Sequence, residues 1–139
     1  MGERVKIRIT PLDKLFSEYI RRRAISGGGC EWCGKPKFDI QKEDGSVLPA
    51  WKQLETAHYI KRRYKKVRYD EDNAIGVCKM GCHQAFEDNK ETFMMQRLGQ
   101  ERLDMLRKRA QTIYKPDINL ITLYLKERIK EVENVTNDI

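Results

Sequence analysis

The first feature of this chain that suggests chemistry is the spacing of its four cysteines and two histidines. The residues concerned are Cys30, Cys33, His58, Asn73, Cys78, Cys82 and His83. The cysteines form two local pairs, each close enough in sequence to give both thiolates to one ion. Four thiolates satisfy the tetrahedral coordination of zinc, so the sequence predicts a structural Zn²⁺ site.

The surroundings of the cysteine pairs indicate how they are presented. Glycines 27–29 precede the first pair and Gly34-Lys35-Pro36 follows it, which predicts a turn on both sides. A thioredoxin-like redox site is the competing interpretation, but it requires a strand before the pair and a helix after it. The second pair has three intervening residues where two are usual, and Gly81 can absorb the extra one. The plan of knuckle, hairpin and helix is treble-clef-like.

His58, Asn73 and His83 suggest hydrolysis of a phosphodiester. That reaction needs a base for water and a cation beside the scissile phosphate. A neutral imidazole suits the first task, and a side chain that orients it or holds the metal suits the others. The alternative interpretation is that His58 is a buried strand histidine and His83 an additional zinc-proximal ligand.

A basic run lies between the two histidines. Six of the nine residues from Lys61 to Tyr69 are Lys or Arg and none is acidic, in a chain of net charge +7. An isolated run of this kind is commonly a solvated face. Its position between two candidate catalytic residues favours binding of phosphate groups instead.

Local patterns predict the elements that must position these residues. A helix over residues 11–25 has Pro11 in its first turn, and Asp44-Gly45 predicts a hairpin or loop. The remaining predictions are strands at 54–60 and 74–77, a helix from about Met80, a new helix capped by Asn89 and ended by Gly99, a helix to Lys115 that includes Ile113, and a last amphipathic helix capped by Asp117.

Length and composition bound the class of protein. The chain has 139 residues, of which 40% are hydrophobic and 35% charged, enough for one globular domain with a modest core. No apolar run approaches the roughly 20 residues of a membrane span. The N-terminal segment MGERVKIRIT lacks the apolar centre of a signal peptide. We therefore expect a cytoplasmic protein.

Several local sequences, in this order, resemble the NinG/Rap family of phage recombination nucleases, in the HNH branch of the His-Me finger (ββα-metal) superfamily. They are LFSEYIR at 15–21, CEWC at 30–33, AHYIKRRY at 57–64, RYDEDN at 68–73, the cysteine pair at 78 and 82, and RLGQERLDML at 97–106. The resemblance covers about residues 12–110. It implies an α+β fold with a small zinc-containing ββα-metal core, a leading helix and C-terminal helices.

The resemblance also implies an activity, metal-dependent cleavage of branched DNA such as Holliday junctions during phage recombination, in the cytoplasm of the host cell. His58 would be the general base, Asn73 would orient it or hold the catalytic metal, and His83 would be a metal ligand. Many HNH nucleases have a carboxylate directly before the base, where this chain has Ala57. Mg²⁺ or Mn²⁺ suits the oxygen-rich ligation that water and phosphate would complete.

The implied partner is DNA, held through its backbone by residues of the basic run on a strand that continues past His58. The candidate contacts are Arg62, Arg63, Tyr64, Lys65, Lys66 and Arg68. Residues 1–116 would form one nuclease domain. The helix at 117–139 would dock on it or pair with a second copy in a homodimer.

Two other functions remain open from the sequence. A non-catalytic zinc module that binds DNA or RNA would need neither His58 nor Asn73. A sequence-specific restriction or homing nuclease has less support, because backbone contacts carry no sequence information.

Overall fold

A computed structural model describes the backbone of residues 7–137 and the side chains of residues 7–133. Residues 1–6 of the N-terminal segment and residues 138–139 of the predicted last helix lie outside it. The elements are α1 (Pro11–Ser26), β1 (Ile40–Gln41), β2 (Val47–Leu48), β3 (Leu54–His58), β4 (Ala74–Cys78), α2 (Cys82–Leu98), α3 (Gln100–Ala110) and α4 (Ile118–Asn137). The described chain is therefore α+β, as predicted, with four helices and two small antiparallel sheets.

The β3–β4 hairpin lies at the centre, with α1 on one face and α2 and α3 on the other. Its register pairs Thr56 with Gly76 and His58 with Ala74. Gly76 faces α1 so closely that a Cβ there would lie 2.9 Å from the Cβ of Ala24. On the same face, the Ser17 and Thr56 hydroxyls are 2.8 Å apart. Glycine at this position therefore lets helix and hairpin approach.

Two apolar clusters hold these layers together. The larger joins the hairpin to α2 and α3 and includes Leu54, Val77, Phe86, Met94 and Leu103, of which all five are fully buried. Burying a side chain of this size contributes about 1.5–3 kcal/mol. Because β4 is buried along its whole length, the hairpin is anchored through β4 while β3 has an open edge.

The second cluster lies between α1 and α4. Phe16 and Ile20 of α1 pack against Leu125 and Ile129 of α4. The long last helix therefore packs on the rest of the chain through one apolar stripe. None of the helices within the described residues is both long and apolar enough to cross a bilayer.

Most predicted boundaries are confirmed. A capping box at Thr10 begins α1, Gly99 ends α2 with a φ of 83°, and the Asp117 carboxylate accepts the Leu120 N–H at 3.1 Å. Antiparallel pairing of β1 with β2 confirms the hairpin around Asp44-Gly45.

Two boundary predictions are wrong, and a third is confirmed only in part. β3 ends at His58, so the basic run follows it as successive turns and not as a continuing strand. The predicted helix start at Asn89 is confirmed in part: α2 is two helical segments joined by a kink at Asn89, where φ is −134° and ψ is 17°. Helix α3 ends at Ala110, so that Ile113 lies beyond it and is fully exposed.

Candidate functional site

The four cysteines converge at one end of the hairpin. Their Sγ atoms all lie within 4.8 Å of one another, and those of Cys33 and Cys78 are 3.8 Å apart. Tetrahedral zinc with Zn–S bonds of about 2.3 Å places its sulfurs about 3.8 Å apart, whereas a disulfide needs about 2.05 Å. Within the described side chains, this is the one group of three or more potential ligands that converges. The cluster therefore fits a zinc ion.

Glycines with positive φ bring the two pairs together. Gly29 has a φ of 134°, and a Cβ there would lie 2.2 Å from the Lys35 carbonyl oxygen. Gly81, between β4 and α2, has a φ of 84°. Its left-handed conformation accommodates the third residue between Cys78 and Cys82, as the sequence predicts.

The electrostatics of the cluster favour a bound cation. Burial raises the pKa of the Cys30 thiol, but backbone N–H groups, including those of Cys33 and Cys78, bring it down to about 7. The same two N–H groups lie 3.4 and 3.3 Å from the Cys30 sulfur. Burial and the neighbouring thiols raise the pKa of Cys82 to about 12. Four thiolates this close repel one another, and a divalent ion removes that repulsion.

His58 lies at the end of β3 on the face toward α1. Its ring centroid is 5.7 Å from that of Phe16, and its Nε2 is 3.3 Å from the Arg68 carbonyl oxygen. A carbonyl only accepts hydrogen bonds, so Nε2 carries the proton and Nδ1 keeps its lone pair. Burial lowers the pKa of His58 to about 4, and the cation of Arg62 contributes. His58 is therefore neutral near pH 7.

Asn73 is fully buried and its carboxamide is occupied by the backbone. Its Oδ1 accepts the Ile60 N–H at 2.8 Å, and its Nδ2 donates to the carbonyls of Ile60 and Val67 at 2.9 and 3.1 Å. Its own carbonyl accepts the Tyr59 N–H. Asn73 therefore holds the chain that leaves His58, and the structure places its side chain on this loop and not on the His58 ring.

His83 lies in the first turn of α2, beside two carboxylates that the sequence analysis did not select. Its Nδ1 is 2.9 Å from Glu55 Oε1, and its Nε2 is 3.9 Å from Glu87 Oε1. Ala57 is buried in the core. Glu55, two residues earlier on β3, is thus the strand carboxylate nearest to the candidate metal ligand.

His58 and His83 line one open cleft of about 770 Å³ along the free edge of β3. Helix α1 forms one wall and α2 the other. Five cations line it, namely Lys14, Arg21, Lys61, Arg62 and Lys90. Two carboxylates also line it, Asp13 and Glu87.

Burial raises the pKa of Asp13, but its partners Arg68 and Thr10 lower that pKa below the usual value, and Arg68 Nε donates to the carboxylate at 2.8 Å. The cleft therefore favours an anionic ligand.

The basic run divides among several sites. Arg62 reaches the cleft, whereas the Arg63 guanidinium donates to the Tyr64 hydroxyl at 3.1 Å. Lys65 and Lys66 line a separate pocket. Arg68 is largely enclosed by its bonds to Asp13. The run thus supplies two cations, Lys61 and Arg62, to the cleft and two to a second pocket, while Arg68 is held in its ion pair with Asp13.

Of the cleft residues that the sequence did not single out, one has a recognisable sequence pattern. Glu87 lies four residues after His83, a spacing that brings two side chains to one face of a helix. Glu55 has no such signal, because it contacts His83 only through the packing of α2 on β3. Lys14, Arg21 and Lys90 likewise reach the cleft only through tertiary packing.

Comparison with known proteins returns no match for this chain among protein-family models, curated proteins or solved structures.

Proposed function

We propose that this protein is a metal-dependent DNA endonuclease that hydrolyses phosphodiester bonds. The observation that carries the proposal is the convergence of a neutral His58 and of His83 in one cation-lined cleft at the edge of β3. Cations attract the DNA backbone, and a neutral imidazole beside them can accept a proton from water.

The arrangement of the elements supports the same reading. A β-hairpin carries His58 on its first strand, and the helix that follows carries His83 near its first turn. We interpret this hairpin and helix, with the cysteine cluster at their junction, as a ββα-metal core of the NinG/Rap type. The cysteines would hold a structural zinc ion remote from the reaction.

His58 is the proposed general base. Its Nδ1 takes a proton from a water molecule, the water oxygen attacks phosphorus, and the bond from phosphorus to the leaving sugar oxygen breaks. Lys61 and Arg62 neutralise charge on the phosphoryl oxygens. Asn73 acts indirectly, because its hydrogen bonds hold the loop that carries Lys61 and Arg62.

His83 and Glu87 fit a catalytic Mg²⁺ or Mn²⁺ best among the side chains of the cleft. Glu55 engages Nδ1 of His83, which leaves Nε2 as the ligand atom on the side of Glu87. A carboxylate on the far nitrogen is the usual way of orienting a metal-binding histidine. The bound cation would stabilise charge on the phosphate and on the leaving oxygen.

We further propose that the substrate is branched DNA, as the resemblance implies. The cations of the cleft suit the DNA backbone, which offers the same groups in every sequence. The cleft is open to solvent, so a distorted strand can enter it. The shape of the DNA would then decide where it is cut.

A cleavage assay tests the proposal. The protein is incubated with an end-labelled four-way junction and a linear duplex of the same sequence, with Mg²⁺, with Mn²⁺ and without added divalent ion. We expect ion-dependent cleavage of the junction in preference to the duplex. Equal cleavage of both DNAs would retain the nuclease and remove the junction preference. Salt-sensitive binding without cleavage under any condition would indicate a non-catalytic zinc module.

A further inference from the structure

A second concave site lies beside the active-site cleft, where the basic run meets α4. Its volume is about 470 Å³, within the range of small-ligand pockets. Lys65, Lys66, Tyr69, Tyr114, Ile121 and Tyr124 line it. We call it the tyrosine pocket.

The pocket combines aromatic side chains with cations. Lys66 Nζ lies 4.0 Å from the ring centroid of Tyr114, and Tyr124 is 47% exposed. The one carboxylate of the lining, Asp70, is bound by Arg109 at 2.8 Å and so does not repel an anion. Within the described residues, Lys65 and Lys66 form no ion pair.

Such a lining matches the chemistry of an unpaired nucleotide. A base without a pairing partner exposes both of its faces for stacking on an aromatic ring, and its phosphates pair with lysine. In a continuous duplex the base faces are covered by neighbouring base pairs. The pocket therefore distinguishes unpaired from paired bases in a way that the cations of the cleft do not.

The tyrosine pocket is close enough to the cleft to hold the same strand. Phe16 contacts the rings of both His58 and Tyr69, with centroid separations of 5.7 and 6.2 Å. The His58 and Tyr69 rings therefore lie no further apart than the sum of these two distances. That limit corresponds to at most about three steps of a stacked strand, at about 3.4 Å each, between the cleft and the edge of the pocket that Tyr69 forms.

We propose that the tyrosine pocket binds one unpaired base of the DNA, a few nucleotides from the cut, with Tyr114 and Tyr124 as stacking residues. The proposal rests on the proposed function and names its substrate more closely, as DNA with unpaired bases at or near a branch. The two lysines of the pocket, Lys65 exposed and Lys66 half-buried, argue against a second copy of this basic chain as the occupant.

The test measures binding to two fluorescent DNAs, a blunt duplex and the same duplex with a single-stranded thymine tail, without added divalent ion. The variants are Tyr114→Ala and Tyr124→Ala. Leu123→Ala, a change at an exposed neighbour on α4 outside the pocket, is the matched control. Tyr124→Phe keeps the ring and loses only the hydroxyl bond to Glu71.

We expect each tyrosine-to-alanine change to weaken binding of the tailed DNA about tenfold while binding of the blunt duplex stays constant. Tyr124→Phe and Leu123→Ala should bind both DNAs as the unaltered chain does. A 2-aminopurine in the tail should be quenched by the unaltered chain and less by Tyr124→Ala.

Four results would overturn the proposal. If the tyrosine variants lose affinity for both DNAs equally, these residues contribute to general DNA binding and not to recognition of an unpaired base. If they lose no affinity, the pocket does not bind DNA. Either result leaves the nuclease itself intact. If the unaltered chain is a dimer and Tyr124→Ala dissociates it, the occupant of the pocket is a second copy of the chain. Failure of the unaltered chain to bind either DNA would remove the pocket's role and the proposed function together.

Discussion

Acidification should destabilise this protein through His58 by an amount that can be worked out from its burial. Burial lowers the pKa of His58 from 6.5 to about 4 in the folded state. Between these values the unfolded chain binds a proton that the folded chain does not bind. The free energy of unfolding therefore falls as the pH falls from about 6.5 toward about 4.

The expected size follows from about 1.36 kcal/mol for each pKa unit. At about pH 5, nearly all folded molecules have a neutral His58, and nearly all unfolded molecules have a charged one. The loss of unfolding free energy between about pH 7.5 and about pH 5 is then about 2 kcal/mol. His58→Gln removes this contribution, because its amide does not titrate.

Urea unfolding of both proteins at the two pH values, followed by circular dichroism, measures the effect. Protonation of the cysteines also weakens zinc binding in acid, but this loss is common to both proteins and cancels in the difference. We expect the unaltered chain to lose about 2 kcal/mol more than His58→Gln. Equal losses would refute the reasoning, since they would mean that His58 is as free to charge in the folded protein as in the unfolded chain.

Four further substitutions test separate parts of the structure. Cys82→Ser should leave less than one equivalent of zinc per chain, measured by elemental analysis, and lower the free energy of unfolding in urea by several kcal/mol. Retention of a full equivalent of zinc would contradict the four-cysteine site. Glu55→Gln should reduce the rate of DNA cleavage about 10- to 100-fold, because Glu55 would no longer orient the His83 ring. Unchanged thermal unfolding is the control, and an unchanged cleavage rate would show that Glu55 does not orient His83. Arg68→Ala should cost about 3 kcal/mol of stability, because the buried Asp13 carboxylate loses its bidentate ion pair and keeps only its bonds to Thr10 and the Arg62 guanidinium at 4.0 Å. Lys65→Ala should instead change stability by less than about 0.5 kcal/mol and make the slope of log DNA affinity against log salt less negative by about 0.9. A stability loss in Lys65→Ala, with a changed salt slope in Arg68→Ala, would contradict the placement of these two side chains.

The cysteine cluster could be predicted from the sequence because its determinants are local. Each cysteine pair is short, and glycines with positive φ flank the first pair and lie within the second. The helices and strands that position the site were likewise predictable, because their apolar periodicity and their caps lie within each segment. Such features require no knowledge of what packs against them.

The arrangement of the cleft could not be predicted in the same way. Arg68 is bound by Asp13, 55 residues earlier in the chain, so a basic run gives no sign of which of its cations stays free. Asn73 follows an acidic turn sequence typically exposed to solvent, yet it is fully buried. Its burial depends on the loop that folds over it. These contacts arise from tertiary packing, which no local pattern contains.

The claim that His58 is the base of a nuclease has one most direct test. Single-turnover cleavage of a labelled four-way junction is compared between the unaltered chain and His58→Gln, with junction affinity and zinc content measured on the same preparations. The account predicts that the variant binds the junction with unchanged affinity, holds its zinc and cleaves at least about 100-fold more slowly. Cleavage by His58→Gln at the unaltered rate would contradict it.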